Sequence, residues 1–273
     1  MWSVRHCVKK PLFNLSLQFK RVATTCRPKA NGFTLVELLV VLSIIVILSL
    51  VALPAIQSLQ KAGGFTQAVY DISDSFNLSR SYAIAENTYV YVGLVELDRT
   101  KDLSVNPQVP GLGRVAMASV ATKDGTNGFS GGAWGGTSAN LALIRQPQVF
   151  DFLHLADDIP ATAVGNMARP ATPANSLNYA ASIASFATTP FSIPLGAAAG
   201  GKYNFTSSIG YNSQGSLFLI NNGVATSPPQ WIEIDLQPVS GNVAPQPPAD
   251  ANVGNQAALL IDGVTGAATV YRP

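Results

Sequence analysis

The feature that most constrains this chain is an apolar run from Phe33 to Leu53, in which Glu37 is the only ionisable residue. As a helix rising 1.5 Å per residue, a run of this length spans about 30 Å, the thickness of the hydrocarbon core of a bilayer. A carboxylate costs roughly 2.5–3.5 kcal/mol at the centre of a spanning helix and less near the interface. No base follows until Lys61, so we expect another chain to neutralise Glu37. The run therefore predicts membrane insertion followed by assembly.

The segment before this run is strongly basic. Residues 1–32 contain seven bases and no acid: Arg5, Lys9, Lys10, Lys20, Arg21, Arg27 and Lys29. Of the 17 bases in the chain, ten therefore remain beyond residue 32 against all 15 acids, a formal balance of −5. Basic residues before an apolar span stay on the cytoplasmic side, so we expect the bulk of the chain to lie outside the cytoplasm.

The cysteines follow the same division. Cys7 and Cys26 both lie in the basic segment, and the remainder of the chain has none. An extracytoplasmic domain would thus be stabilised by its core without disulfides, and roughly 210 residues suffice for one such core. The predicted organisation is a leader over 1–32, a transmembrane and assembly helix over 33–62, and one extracytoplasmic domain over 63–273.

Gly32, Phe33, Glu37 and Pro54 together resemble the class III signal of type IV pilins and pseudopilins. The resemblance implies that prepilin peptidase cleaves after Gly32 and methylates Phe33, that Glu37 serves filament assembly, and that Pro54 kinks the helix. It also implies other pilin or pseudopilin subunits, an inner-membrane assembly platform and membrane lipid as partners. The expected location is a single pass through the inner membrane, with a periplasmic domain, and then a filament.

Two simpler interpretations of the apolar run remain open. An uncleaved single-pass anchor is physically adequate at this length. A secretory signal fits less well, because its apolar region is usually 7–15 residues long and ends at an A-x-A-like site. The sequence Leu53-Pro54-Ala55 is a poor match to such a site.

An amphipathic helix is predicted from Phe65 to Glu86. Apolar and small residues recur there at three- and four-residue spacing, as on one face of a helix: Phe65, Val69, Ile72, Phe76, Ser79 and Ala83. Strands are predicted after it, at 88–97, 114–122, 148–155, 216–220, 230–236, 257–261 and 268–271. A helix followed by strands predicts an α+β fold, with an antiparallel sheet packed on the helix.

Three shorter patterns refine this fold. Ile232, Ile234 and Leu236 alternate with Glu233 and Asp235, the pattern of a half-buried strand. Asp262-Gly263 is typical of a hairpin turn. The glycine-rich segment 124–140 and the segment 160–201, rich in Ala, Pro and Thr, are interpreted as loop insertions on the surface.

A narrower resemblance concerns the two ends of the domain. The segment 65–92, with Arg80 and Ala83 before the first strand, resembles the opening of GspH/FimT-like minor pseudopilins, although Ser79 stands where that family usually has alanine. The stretch Ile209-Gly-Tyr-Asn-Ser-Gln-Gly resembles a hairpin of that family, and 259–271 resembles its last two strands. The ending from Ile261 is also similar to the Verru_Chthon cassette protein D group. These resemblances imply a structural subunit of a type II secretion pseudopilus or of a type IV pilus-like filament.

The residue types for catalysis are sparse. His154 is the only histidine beyond residue 32, and it is interpreted as a packed or surface residue, so no enzyme activity and no cofactor are predicted. Asp157, Asp158 and Asp262 are interpreted as loop and turn acids without the spacing of a metal site.

The alternative function is a DNA-binding minor pilin. Against it, the bases are scattered and acids are in excess. A fold that gathers Arg114, Lys123, Arg145 and Lys202 on one face would favour it.

Overall fold

The computed structural model describes residues 34–130, 133–134, 140–157, 170, 176–183, 190–195, 201–221, 224–226, 228–239 and 256–272. The chain divides into two compact units, Met1–Ala52 and Leu53–Pro273. The prediction of an α+β fold with an N-terminal helix and antiparallel sheets is confirmed.

Helix α1 runs over Leu35–Ala85 and continues through Pro54 and the pair Gly63-Gly64. The predicted amphipathic face is confirmed, because each of its six members is at most 5% exposed: Phe65, Val69, Ile72, Phe76, Ser79 and Ala83. The polar side chains Gln67 and Asp74 are exposed on the same helix. Asn87, which follows the helix, has a φ of 48°, a conformation that asparagine tolerates better than most residues.

Within the described residues, fifteen strands follow the helix. Their bounds are β1 Val90–Asp98, β2 Gly113–Thr122, β3 Phe129–Ser130, β4 Ala133–Trp134, β5 Leu141–Asp151, β6 Leu153–Ala156, β7 Ser176–Asn178, β8 Phe191–Ile193, β9 Tyr203–Phe205, β10 Ser208–Tyr211, β11 Leu217–Asn221, β12 Val224–Thr226, β13 Trp231–Pro238, β14 Ala257–Asp262 and β15 Ala268–Tyr271. A π-helical turn spans Tyr179–Ile183.

Two sheets make up most of the strand structure. The six-stranded sheet has the order β12-β11-β10-β1-β2-β5, and its neighbouring strands are antiparallel. The other sheet has the order β15-β14-β13-β6, and β7 joins β13 in a parallel pair. The single antiparallel sheet expected from the sequence is therefore divided into two.

The chain passes between the two sheets at Phe152. The sequence predicted one strand over 148–155, and this is wrong, because β5 ends at Asp151 and β6 begins at Leu153. Phe152 has a φ of 62°, which breaks the extended backbone. Its N–H donates to the carbonyl of Gly113 at 2.7 Å, and its own carbonyl accepts from the N–H of Val239 at 3.0 Å.

The main core combines the buried face of α1 with residues from both sheets, such as Val92, Met117, Ile234 and Leu259. The other face of the six-stranded sheet has its own core, which includes Tyr91, Phe218 and residues of the β8–β9 hairpin. Apolar burial on this scale is the main stabilising contribution in a domain without disulfides.

The prediction that β13 is half-buried is wrong. Ile232, Ile234 and Leu236 are fully buried, as expected, but Glu233 and Asp235 on the opposite face are only 4% and 1% exposed. Asn178 of β7 donates from Nδ2 to Oδ2 of Asp235 at 2.9 Å. The second face of this sheet is thus also covered, and both of its acids are buried.

The segment 160–201 contributes to both cores. Tyr179 belongs to the main core and Phe191 and Ile193 to the second one. In the segment 124–140, β3 and β4 form a two-stranded hairpin. The remainder of both segments lies largely outside the described residues.

Two hairpins occur where the sequence indicated turns. β10 and β11 are antiparallel neighbours, with Gly215 at a φ of 81° in the connection. After β14, Asp262 Oδ1 accepts from the N–H groups of Val264 and Thr265, and β15 returns antiparallel to β14.

Candidate functional site

The candidate site is the N-terminus of α1, where Thr34 and Glu37 form a capping box. The N–H and the hydroxyl of Thr34 both donate to Oε2 of Glu37, at 3.1 and 3.0 Å. In return, the N–H of Glu37 donates to Oγ1 of Thr34 at 3.2 Å. This reciprocal arrangement satisfies backbone donors that the first turn of a helix leaves without partners.

The capping box changes how Glu37 is interpreted. The sequence predicted a carboxylate whose partner lies on another chain. The structure shows that one carboxylate oxygen is already engaged within the chain, while none of the three capping hydrogen bonds uses Oε1. A carboxylate near a helix N-terminus also interacts favourably with the helix dipole. Glu37 therefore defines the start of the helix and still presents one oxygen to a second partner.

The helix that follows the capping box presents apolar side chains to its surroundings. Residues 34–50 are all exposed, and Leu35, Leu39, Ile45 and Leu48 are 80, 60, 52 and 63% exposed. Ser43 and Ser49 satisfy their hydroxyls internally, by donating to the carbonyls of Val40 and Ile45 at 2.7 Å. An apolar helix surface of this extent is typical of a site that contacts lipid or protein.

The other predicted site residues are placed as follows. Gly32 and Phe33 lie outside the described residues, so cleavage and methylation there stay predictions. Pro54 lies within helix α1, and a kink at this position also stays a prediction.

Among the described residues, no helix combines the length and the apolar character required of a membrane-spanning helix.

Three of the four bases considered for DNA binding lie in or beside β2 and β5. Arg114 is the second residue of β2 and is 6% exposed, and its Nε pairs with Oδ1 of Asp151 at 2.7 Å. Lys123 follows the opposite end of the same ten-residue strand. Arg145 lies in β5 opposite Ser119. Lys202 precedes β9 and lies, like Arg114, close enough to Asp102 to help its hydrogen bonds with Ser104 lower the pKa of that acid. DNA binding by these bases stays a prediction.

His154 is a packed residue that pairs with an acid. Its Nδ1 lies 2.9 and 3.0 Å from the two carboxylate oxygens of Glu96, and the two side chains are 15 and 16% exposed. Glu96 Oε1 also accepts from the N–H of Gly113 at 3.1 Å. Since His154 belongs to β6 and Glu96 to β1, this contact joins the two sheets.

Asp262 has a role in the turn after β14. Its carboxylate accepts backbone N–H groups, and these hydrogen bonds help to lower the pKa of Asp262 against the opposing effect of burial. Within the described parts of the chain, no group of three or more His, Cys, Asp or Glu side chains is arranged to hold a metal ion.

A comparison with protein families finds one match. Residues 27–53 match the prokaryotic N-terminal methylation motif. The matched segment is similar to the class III signal of type IV pilin-like proteins. No curated protein and no solved structure matches the chain significantly.

Sequence reasoning identified Glu37 but missed Thr34. The signal was present, because Thr34-x-x-Glu37 before an apolar run is the pattern of a capping box. The matched motif covers the same residues, so both residues of the capping box lie within the matched segment.

Proposed function

We propose that this protein is a minor pseudopilin, a non-enzymatic structural subunit of a type II secretion pseudopilus or a type IV pilus-like filament. The observation that carries the proposal is the capping box of Thr34 and Glu37 at the head of an exposed apolar helix, within the N-terminal methylation motif. The apolar helix would be held in the inner membrane, with the domain from residue 63 in the periplasm, until the subunit enters the filament.

Assembly would bring a positive charge to Glu37. Cleavage after Gly32 creates a new amino group on Phe33, and this ammonium is the cation expected to pair with Glu37 of a neighbouring subunit. In an apolar bundle two isolated charges are costly, whereas a pair with good geometry is tolerated. The oxygen Oε1, which the capping bonds do not use, is the acceptor we assign to this contact.

The GspH/FimT-like subtype is supported by the order of elements in the domain. The buried face of α1 includes Ala83 and is followed by the antiparallel strand β1. The antiparallel pairs β10–β11 and β14–β15 support the resemblance over 209–215 and 259–271. Arg80 donates from Nε to the carbonyl of Thr265 at 2.5 Å, so the arginine of the segment 65–92 ties α1 to the hairpin β14–β15.

The experiment that tests the proposal is the determination of the mature N-terminus. The protein is purified from its native membrane, and its intact mass and N-terminal fragments are measured. We expect a chain that begins with N-methylated Phe33. A Gly32→Ala variant, which changes only the residue before the cleavage site, is expected to retain its leader.

Two results would contradict the proposal. An intact leader on the wild-type protein would favour an uncleaved membrane anchor. A cut near Ala55 would instead favour a secreted domain without the assembly helix.

The DNA-binding alternative is tested on the mature protein by a gel shift with duplex DNA at low and high salt, because phosphate contacts make binding salt-dependent.

A further inference from the structure

A groove lies between α1 and the outer edge of the six-stranded sheet. It has a volume of about 440 Å³, with Gly64, Gln67 and Asp71 on the helix side and Gln148, Phe150 and Asp151 on the strand side. β5 is the last strand of this sheet and has β2 as its only neighbour among the described strands of the sheet. The groove therefore combines an accessible strand edge with a helix face.

The helix side of the groove contains a glycine for which the described residues give no steric reason. A Cβ at Gly64 would meet nothing within 4 Å, although glycine in a helix interior costs roughly 1 kcal/mol relative to alanine. Glycine is often found where another backbone or a ligand approaches closely. Since nothing in the described chain approaches Gly64, its space is available to a partner.

The charge of the groove restricts the partner. Over residues 63–79, α1 carries Asp71 and Asp74 and no base. Asp151 is 44% exposed and forms a salt bridge with the buried Arg114. Asp71, in contrast, has no base beside it over residues 63–79 of the helix. A segment with Lys or Arg is complementary to such a surface.

A second copy of this chain is a poor occupant. Beyond residue 32 the chain has an excess of five acids, so the field between two copies is repulsive on average. The middle of β5 also discourages pairing of equal edges, because Pro147 lies there and the register with β2 shifts between Met117 and Val120. Proline and bulges are devices that limit edge-to-edge association.

We propose that this groove receives a basic, extended segment of a different filament subunit. The segment would lie along the edge of β5 from Gln148 to Asp151, with its backbone close to Gly64 and a Lys or Arg side chain at Asp71. Addition of an extended segment to a sheet edge is a common mode of recognition, in which the backbone supplies affinity and side chains supply specificity. The proposal rests on the proposed function, since it requires assembly with other subunits.

The test is site-specific photocrosslinking in cells that carry the native filament system. A benzoyl-phenylalanine probe is placed at Gln67, inside the groove, and a second one at Tyr70, which is exposed on the same helix but does not line the groove. Crosslinked peptides are identified by mass spectrometry. We expect the Gln67 probe to capture a Lys- or Arg-bearing peptide of another pilin-like subunit, and the Tyr70 probe not to capture that peptide.

Two matched pairs of variants separate docking from folding. Gly64→Leu fills the groove, whereas Gly63→Leu adds the same side chain at the adjacent open position, which does not line it. We expect Gly64→Leu to lower the crosslink yield roughly tenfold, as a designed clash does, while both variants keep the wild-type melting temperature or exceed it. Asp71→Asn should lower the yield roughly two- to fivefold, the range for one exposed ion pair, and Asp74→Asn should not.

Several results would overturn the proposal. They are capture of lipid only, capture of a second copy of this chain, no capture at Gln67, or a yield that Gly64→Leu leaves unchanged. The mature N-terminus is measured in the same cells. Correct processing at Gly32 with no capture at Gln67 refutes the groove alone, whereas an intact leader refutes the proposed function.

Discussion

The hydroxyl oxygens of Ser79 and Ser119 lie 2.8 Å apart and are hydrogen-bonded, in a place where both residues are buried. Ser79 also donates to the carbonyl of Ser75, one turn earlier in α1, at 2.7 Å. Ser119 lies where the register between β2 and β5 shifts. This polar contact therefore fixes α1 to the irregular point of the sheet, inside an otherwise apolar core.

Replacing Ser79 alone should cost more than replacing both serines. We expect Ser79→Ala to lower the free energy of unfolding by about 1–2 kcal/mol, because it leaves the buried hydroxyl of Ser119 without this partner. Ser119→Ala should cost less, because the hydroxyl of Ser79 keeps the carbonyl of Ser75 as its acceptor. The double variant should be close to wild type, since alanine packs well and favours helix at position 79. Urea denaturation of all four proteins measures the coupling; additive losses would show that the contact has no coupling energy.

Gly266 and Gly125 have nearly the same backbone conformation but different space around them. Their φ angles are 68° and 70°. A Cβ at Gly266 would overlap the carbonyl oxygen of Gly215, whereas at Gly125 the nearest atom is 3.6 Å away. Gly125→Ala should therefore cost about 1 kcal/mol, for the conformation alone. Gly266→Ala should cost about 3 kcal/mol or more, because overlap is added to the strain. Equal losses in urea denaturation would contradict the assigned packing.

Phe152 should be more tolerant of glycine than of alanine. Its φ of 62° is costly for any residue with a Cβ, by about 1–3 kcal/mol. The Arg99 guanidinium lies 3.6 Å from the centroid of its ring, and both substitutions remove this contact. Phe152→Gly is thus expected to be about 1 kcal/mol more stable than Phe152→Ala in urea denaturation. At Phe150, an ordinary position of β5, the order should be reversed, because glycine weakens a strand.

Tyr179 should make the stability of the domain depend on alkaline pH. Burial raises the pKa of Tyr179 to about 12 from an ordinary 10. Between these values the unfolded state loses a proton that the folded state keeps, so stability present below pH 10 is lost as pH rises towards 12, by up to about 1.4 kcal/mol per pH unit. Tyr91 and Tyr211 have raised pKa values for the same reason and act in the same direction.

The variant Tyr179→Phe separates this contribution from the other tyrosines. At pH 7 we expect it to lose about 1–3 kcal/mol, because the N–H of Leu94 then loses the oxygen to which it donates at 2.9 Å. Above pH 10, its stability should fall less steeply than that of the wild type. Parallel slopes in chemical denaturation from pH 9 to 12 would contradict the assignment of a buried, protonated Tyr179.

Two substitutions of Glu37 distinguish its charge from its role in the capping box. A glutamine keeps an oxygen that can accept from Thr34, but it has no charge; an alanine lacks both. If pairing with a neighbour's ammonium is the function, Glu37→Gln and Glu37→Ala should be similarly defective in filament assembly. Assembly is measured as subunits in the sheared filament fraction relative to those in the membrane. Wild-type assembly of Glu37→Gln would show that capping is the role that matters.

The helix and its buried face could be predicted because the signal is periodic. Six residues at helical spacing are all buried in α1, and the strands with clear alternation or turn residues lie close to their predicted bounds. Positions decided by tertiary structure were missed. Nothing local at Phe152 indicates a left-handed residue, so the break between β5 and β6 was not foreseen. Alternation in β13 indicates which residues face the main core, but not that the second face is also covered.

The candidate site and the groove also differ in how far the local sequence indicates them. The isolated carboxylate of Glu37 in an apolar run was predictable from the sequence, because charge in such a run is costly. Its contact with Thr34 was predictable in principle, since a capping box is local. The groove at Gly64 was not, because it depends on which strand forms the edge of the sheet beside α1. The sequence around Gly64 and the sequence of β5 do not indicate that the two segments lie side by side.

The contacts of α1 with the end of the chain have a consequence for the order of events during synthesis. Asn77, Arg80 and Thr66 of α1 bond with Ala268, Thr265 and Arg272, across 185 to 206 positions of sequence. Such non-local contacts slow folding, and at about 5–20 residues per second the ribosome needs ten seconds or more to deliver them. These polar contacts of α1 therefore form only when the last residues of the domain have been made. A nascent chain of this kind is a natural client for a chaperone until its final hairpin arrives.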